Sequence, residues 1–216
     1  TNKAPRKAQD GFPGEERACI LELKVIADVG FVGLPNAGKS TLLKALTNAD
    51  PDIAPYPFTT LSPNLGVIVA NDYSRHITLA DIPGLIEGAH TGAGLGHRFL
   101  RHIERTRVII HLVAPEAGED ADGNPVLSDA SPETMWYSYE LIRQELVEYS
   151  EDLLNKPYLV AINKIDLINE EQISAIQNFF EKELGYQPVV ISAIDQKGLD
   201  ELKTRLEELL QKVEDD

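Results

Sequence analysis

"GLPNAGKST", residues 33 to 41, follows the apolar run "KVIADVGFVG" (24 to 33) and opens a helix. A glycine, four residues, then Gly-Lys-Ser, set between strand and helix, is a phosphate-binding loop in its proper context. Successive backbone amides from Gly33 through Leu34, Pro35, Asn36, Ala37 and Gly38 to Ser40, proline excepted, converge on phosphate oxygens with the positive end of the helix behind them. Gly38 is expected to remove a side chain that would block the phosphate. Lys39 is placed to contact the β and γ phosphates, Ser40 to ligate Mg2+, and Thr41 completes the loop.

Outward from this loop, short apolar runs alternate with amphipathic segments. "GVIVA" (66 to 70), "HITLAD" (76 to 81), "RVIIHLVA" (107 to 114), "KPYLVAIN" (156 to 163) and "QPVVIS" (187 to 192) read as buried strands, rich in Val and Ile and bounded by turn residues. Met135, Tyr139, Ile142, Leu146 and Tyr149 recur at helical spacing, and so do Leu199, Leu202, Leu206, Leu209 and Val213. Ser131 followed by Pro132 caps the first of these helices. The alternation predicts a P-loop NTPase-type three-layer α/β sandwich, a mostly parallel sheet with helices on both faces and ligands at the carboxyl ends of the strands.

A chain of 216 residues with 43% hydrophobic content builds one core. The reading assigns 24 to 216 to one nucleotide-binding domain and 1 to 23 to the exit of an upstream domain. The single cysteine, Cys19, forms no internal disulfide. With no signal peptide and no membrane span in view, the expected setting is a reducing cytoplasm and the expected state a monomer. The net charge of −15 is uneven, +1 over residues 1 to 110 and −16 over 111 to 216. An evenly acidic surface would repel nucleic acid; this one has two characters. Residues 115 to 130, "PEAGEDADGNPVLSDA", are acidic and turn-rich, and are expected to be a mobile surface loop whose acid spacing does not fit a calcium loop.

The base is chosen by "NKID" (163 to 166) at a strand end. The Asp166 carboxylate accepts two hydrogen bonds from the N1 and exocyclic amino groups of guanine, whereas adenine would leave it desolvated and unpaired. Asn163 is expected to hold the loop and reach the base edge, the stem of Lys164 to cover the base, and Ile165 to carry the turn between them. "SAI", Ser192, Ala193 and Ile194, is expected to bring a backbone amide to the guanine oxygen. "DIPG" supplies Asp81 and Gly84, around Ile82 and Pro83, to meet Mg2+ and the terminal phosphate. In "DIAPYPFTTLSPN" (52 to 64), Thr59 or Thr60 offers a hydroxyl to Mg2+ and an amide to phosphate, Thr60 being preferred.

Together "LELKVIADVGFVGLPNAGKSTLL", "YPFTTLSPNLGV", "ADIPGLIEGAHTGAGLGHRFLRHIERT" and "NKID" resemble the guanine-nucleotide domain of the Obg (CgtA) family of GTPases over residues 20 to 214. The resemblance implies Thr60 as the Mg2+ ligand, nucleotide contact by Phe58, Thr59, Thr60, Leu61 and Ser62, and binding of GTP and GDP. It also implies action in large ribosomal subunit assembly, with rRNA and protein as partners, and stress signalling through guanosine tetraphosphate. "TNKAPRKAQDGFPGEE" resembles the exit of the family's glycine-rich amino-terminal domain. The acidic stretch 115 to 130 departs from the family pattern.

Many GTPases place a water-orienting glutamine directly after Gly84, where this chain has Leu85. Lys39, Thr60 and Gly84 remain as the catalytic set; His90, His97, Glu87 and backbone carbonyls of the threonine loop are the candidates for the water. Relatives with a hydrophobic residue at the Leu85 position include some that seat K+ beside an asparagine in the phosphate loop, the place of Asn36. "HRFLRHIERTR" (97 to 107) carries Arg98, Arg101, Arg105 and Arg107, either a partner-binding basic helix coupled to nucleotide state or a solvated helix whose arginines pair with local acids. Three functions are compatible with these motifs: a slow GTP-hydrolysing switch, which is preferred, a guanine-nucleotide or alarmone sensor with negligible turnover, and a metabolic P-loop kinase, which would not need "NKID".

Overall fold

Strands with neighbours on both edges and helices over both faces expose neither row of side chains to water, which is why their sequences are nearly continuous in Val, Ile, Leu and Ala. The computed structural model describes residues 27–47, 52–53, 64–70, 75–81, 102–119 and 125–215, with isolated positions 11, 12, 14 and 16. In chain order the elements are β1 (Ala27–Val32), α1 (Lys39–Thr47), β2 (Asp52–Ile53), β3 (Asn64–Val69), β4 (His76–Asp81), β5 (Thr106–Val113), β6 (Glu116–Glu119), β7 (Pro125–Asp129), α2 (Pro132–Tyr149), β8 (Tyr158–Ile162), α3 (Glu170–Leu184), β9 (Val189–Val190) and α4 (Leu199–Asp215). Seven strands form one sheet in the order β2-β3-β4-β1-β5-β8-β9. All its pairings from β4 to β9 are parallel, and only β2 with β3 and β3 with β4 run antiparallel.

Two layers of helix enclose this sheet. On one face Leu42, Leu43 and Leu46 of α1 and Leu199, Leu202, Leu206 and Leu210 of α4 pack on Val29, Phe31, Ile110 and Leu112. On the other, Ile142 and Leu146 of α2 meet Val32, Ala80 and Ile109. Met135 and Tyr139 of α2 join Ile176 and Phe180 of α3 over Val160 and Ile162. The three-layer sandwich expected from the alternation is the fold. The α4 stripe differs in one detail: Leu210 is the buried member, while Leu209 and Val213 are partly buried, because 3.6 residues per turn carry the core-facing line past Leu209.

Cap chemistry sets the helix ends. Ser131 accepts the Thr134 amide at 3.3 Å with Pro132 in the first turn of α2. Asn169 and Gln172 form a reciprocal capping box on α3, which ends at Gly185 with φ 78°.

Two expectations change. The stretch 115 to 130, read as a mobile loop, contains a hairpin in which β6 and β7 pair antiparallel and belong to no other sheet. Acidic composition argues about side-chain burial, whereas a two-stranded ribbon is held by backbone bonds that need none; the legible signal was Asp122-Gly123 between two short runs. Arg107, grouped with a basic helix, lies instead on β5 near its amino end. It faces Asp28 at 3.6 Å and Glu214 at 3.3 Å, and Arg75 joins Glu214 at 2.8 Å. For Arg107 the pairing with local acids therefore holds; Arg98 and Arg101 lie outside the described residues. Among the described residues no helix is long and apolar enough to cross a membrane.

One polar residue sits inside strand β5. His111 is 1% exposed, stacks on Tyr139 with ring centroids 4.9 Å apart, and is hydrogen-bonded through Nδ1 to the Tyr158 hydroxyl. Arg143 donates to the Tyr139 hydroxyl at 3.2 Å. Burial, then the nearby charges of Arg143 and Lys39, push the His111 pKa down from 6.5 to about 3. Between those values the unfolded chain binds a proton that the folded chain refuses, so lowering the pH favours unfolding. The expected result is that His111 makes unfolding free energy fall by up to ~1.4 kcal/mol per pH unit below pH 6.5. Urea unfolding at several pH values should show a shallower dependence in His111→Gln; equal slopes would mean that the folded site accepts the proton.

Candidate functional site

The phosphate loop begins where β1 ends. Gly33 has φ 149°, and a Cβ there would lie 2.4 Å from the Leu112 carbonyl oxygen of the neighbouring strand. Asn36 takes a left-handed φ of 61°, a conformation that asparagine tolerates better than other side-chain-bearing residues, and the loop closes with the Ala37 amide on the Leu34 carbonyl at 3.2 Å. Lys39 Nζ donates to the carbonyls of Gly33 and Leu34, both at 3.0 Å. Burial lowers the lysine pKa and the Asp81 charge raises it, burial being the larger effect.

Ser40 at the start of α1 and Asp81 at the end of β4 are brought together, the Ser40 hydroxyl donating to Asp81 Oδ2. Asp81 is 2% exposed, and its other oxygen, Oδ1, has no hydrogen-bond partner among the described residues. A buried carboxylate oxygen left bare is costly unless a cation meets it. Among the described residues no group of three or more His, Cys, Asp or Glu is gathered for a metal. A serine and one carboxylate match what Mg2+ takes from a protein when substrate phosphates and waters supply the remaining oxygens, so the residues present fit that ion.

The residues expected to read guanine are tied to the loop by one side chain. Asn163, 1% exposed, donates from Nδ2 to the Ala37 carbonyl at 2.8 Å and accepts at Oδ1 from the Ala193 amide at 3.1 Å. The sequence reading had Asn163 holding the loop and reaching the base; the first is what the geometry shows. Gly38, expected to clear the way for phosphate, has a further reason within the protein to lack a side chain. With φ 95°, its missing Cβ leaves room for Asn163 Nδ2, which would sit 2.3 Å from a methyl group there. The close approach that glycine permits within the protein is thus to an asparagine.

Lys164 adopts φ 64° and ψ 37°, which turns the chain into the 3-10 turn Ile165–Leu167 carrying Asp166. Ser192 donates its hydroxyl to Asp166 Oδ1 at 2.5 Å and accepts the Asp195 amide at 3.1 Å. This aim on the carboxylate was not legible, since "SA" was valued only for its backbone. The amides of Ser192, Ala193 and Asp195 are all engaged within the protein, whereas those of Ile194 and Gln196 make no hydrogen bond among the described residues. The Ile194 side chain is 73% exposed.

The geometry thus joins Gly33 to Thr41, Asp81, Asn163 to Asp166 and Ser192 to Ile194 at the carboxyl edge of the sheet. Phe58 to Ser62 and Ile82 to Gly84, with Leu85, Glu87, His90 and His97, lie outside the described residues.

Residues 28–164 match a family model described as 50S ribosome-binding GTPase. The GTPase Obg of Aquifex aeolicus is 49% identical over 216 residues, covering 100% of this chain and 59% of that protein. This chain belongs to the Obg family of GTPases. The GTPase Obg of Desulfatibacillum aliphaticivorans is 52% identical over 203 residues, 94% of this chain and 56% of that protein. The Obg-type domain therefore spans a little over half the length of these curated relatives. Among solved structures, Era in complex with MgGDPNP and a segment of 16S ribosomal RNA shares 29% identity at a TM-score of 0.59, over 84% of this chain and 56% of that one.

Removing the Asn163 side chain would orphan the buried Ala37 carbonyl and Ala193 amide together. At about 1–3 kcal/mol for each unsatisfied group, Asn163→Ala is expected to lower stability by roughly 2–5 kcal/mol. Urea titration of the nucleotide-free protein should show an earlier midpoint with an unchanged slope. An unmoved midpoint would mean that the two loops are held by other contacts.

Proposed function

We propose that this Obg-type domain binds GTP and hydrolyses it slowly to GDP and phosphate, acting as a switch in large ribosomal subunit assembly within the cytoplasm. The observation that carries the reading is the Asn163 bridge, which fixes the base-reading Asp166 loop to the phosphate-binding loop, so that base and phosphates are recognised as one unit. Ribosomal RNA and protein as partners are supported by the description of the matching family, and guanosine tetraphosphate as a further ligand by the guanine-reading loop and the resemblance. The stretch 1 to 23 is proposed as the exit of an Obg-type amino-terminal domain.

Mg2+ would be held by Ser40 with Asp81 behind it, and by Thr60 from the threonine loop. Bound there, the ion would supply positive charge against the negative charge that gathers on the phosphates. Lys39 adds fixed positive charge at the β and γ phosphates, and Gly84 an amide at the terminal phosphate. The Gly33 and Leu34 carbonyls hold the ammonium on the loop before any phosphate arrives.

Leu85 offers no polar atom to a water. With no glutamine there, hydrolysis is expected to be slow, roughly 10⁻⁴ to 10⁻² per second without a partner. K+ is proposed as a supplementary charge beside the phosphates, seated with help from Asn36. In support, the Asn36 side chain is exposed, held by a left-handed backbone, and makes no hydrogen bond among the described residues.

Single-turnover GTP hydrolysis with Mg2+, in K+ and in Na+ at equal ionic strength, tests this reading. Faster release in K+ is expected, and Asn36→Ala should remove the difference while sparing GTP affinity. Equal slow rates would place the accelerating group on a partner. Base recognition has its own check. Asp166→Asn replaces an acceptor pair by an amide that matches xanthine, so GTP affinity should fall at least about 100-fold while XTP binding improves. Unchanged selectivity between the two nucleotides would remove Asp166 from the base site.

A further inference from the structure

Beside the phosphate loop lies a cavity of about 570 Å3, walled by Leu34–Ala37 of the loop, the carboxyl end of β5 from His111 and the residues that follow it to Glu116 of β6, Ser138 and Leu141 of α2, and Lys164. None of Lys39, Ser40, Asp81, Asp166 or Ser192 lines it. It adjoins the nucleotide cradle and shares with it Leu34–Ala37 of the loop and Lys164, while Ser40, Asp81 and Asp166, which would meet Mg2+ and the guanine edge, lie off it.

We infer that this cavity is a second ligand site, taking a small, flat molecule with a hydrogen-bonding edge, whose occupancy is coupled to nucleotide binding through the phosphate loop. Its size falls within the range of small-molecule pockets, which are mostly apolar with a few polar groups that fix orientation. Leu34, Ala37, Val113 and Leu141 supply the apolar wall, and Glu116 and Lys164 are the charged residues of the lining.

Two buried polar residues supply the edge. His111, which belongs to the lining, has Nδ1 occupied by the Tyr158 hydroxyl, so either tautomer leaves Nε2 with one hydrogen-bonding function. The ring stays uncharged across the physiological range because it is buried and because Arg143 and Lys39 stand near it. The Ser138 hydroxyl, on a residue 6% exposed, already donates to the Thr134 carbonyl at 3.1 Å and so meets a ligand as an acceptor. The matching ligand carries a donor for Ser138 and a complementary atom for His111.

Coupling follows from what the loop carbonyls do. The Leu34 carbonyl holds Lys39 Nζ and the Ala37 carbonyl holds Asn163 Nδ2. A molecule resting against Leu34–Ala37 restrains the same four residues whose outward-facing partners place the phosphate-binding lysine and the base loop. By linkage, the two ligands must change each other's affinity by the same factor.

The test uses the 216-residue chain loaded with GDP and benzimidazole as the probe, a flat molecule, mostly uncharged at neutral pH, with one donor and one acceptor. Ligand-detected NMR and calorimetry are expected to give a dissociation constant of about 1 mM. Saturating probe should shift GDP affinity by at least about twofold, with the same factor in reverse. Ser138→Leu fills the space from α2 and should weaken the probe at least about tenfold while GDP remains bound; Leu141→Phe is the second filling variant should the first not fold. Absence of probe binding, displacement of the probe by GDP, unchanged GDP affinity at saturation, or equal probe affinity in a folded filling variant would each overturn the inference.

Discussion

The side-chain amide of Asn163 is the contact on which this nucleotide site depends. It is buried, and its two ends reach two different loops, the Ala37 carbonyl on one side and the Ala193 amide on the other. Those loops follow strands at different places in the sheet, and nothing local to either could set the distance between a phosphate cradle and a base pocket. A single short polar side chain, unable to find another partner without leaving a buried group bare, sets it. Gly38 is the counterpart of that constraint: only a residue without a Cβ lets the amide come so close to the loop.

A second theme is charge held in place before it is needed. Asp81 keeps one buried oxygen without a partner among the described residues and the other on Ser40, while Lys39 is folded onto two carbonyls of its own loop. Each arrangement is less comfortable without a ligand than with one. A site that has already oriented its charges loses little in reorganisation when phosphate and Mg2+ arrive, which is the physical content of electrostatic preorganisation. Ser192 does the same for Asp166, holding one carboxylate oxygen and so fixing the plane of the carboxylate proposed to meet the base.

The acid excess of the second half has no part in this chemistry. Glu214 goes to Arg75 and Arg107, binding α4 across the amino ends of β4 and β5, far along the strands from the nucleotide edge. Such exposed pairs contribute little energy individually. What they decide is placement, since the arginine that looked like part of a partner-binding cluster is committed to the protein itself. The hairpin β6 and β7 leaves the opposite, carboxyl end of β5, beside the phosphate loop and the cavity next to it.

Much of this was legible in the residues. Apolar runs placed β1, β3, β4, β5, β8 and β9 but not the two-residue β2, and β3, read as buried, turns Val67 and Val69 to solvent (51% and 45% exposed); "GLPNAGKST", "DIPG" and "NKID" are local patterns whose chemistry follows from residue type and spacing. The hairpin was missed because composition speaks of side chains and a ribbon is held by backbone. The reason for Gly38, the aim of Ser192 and the lone histidine in β5 were not legible, because each is defined by a residue distant in the chain: Asn163, Asp166 and Tyr158. By itself, then, the sequence determined the fold class, the phosphate loop and the motif on which the proposed choice of guanine rests, all of which depend on local spacing. Only the tertiary structure decided how base and phosphate sites are joined, which oxygen is left bare and where a second cavity opens, since these depend on distances that the chain sets by packing.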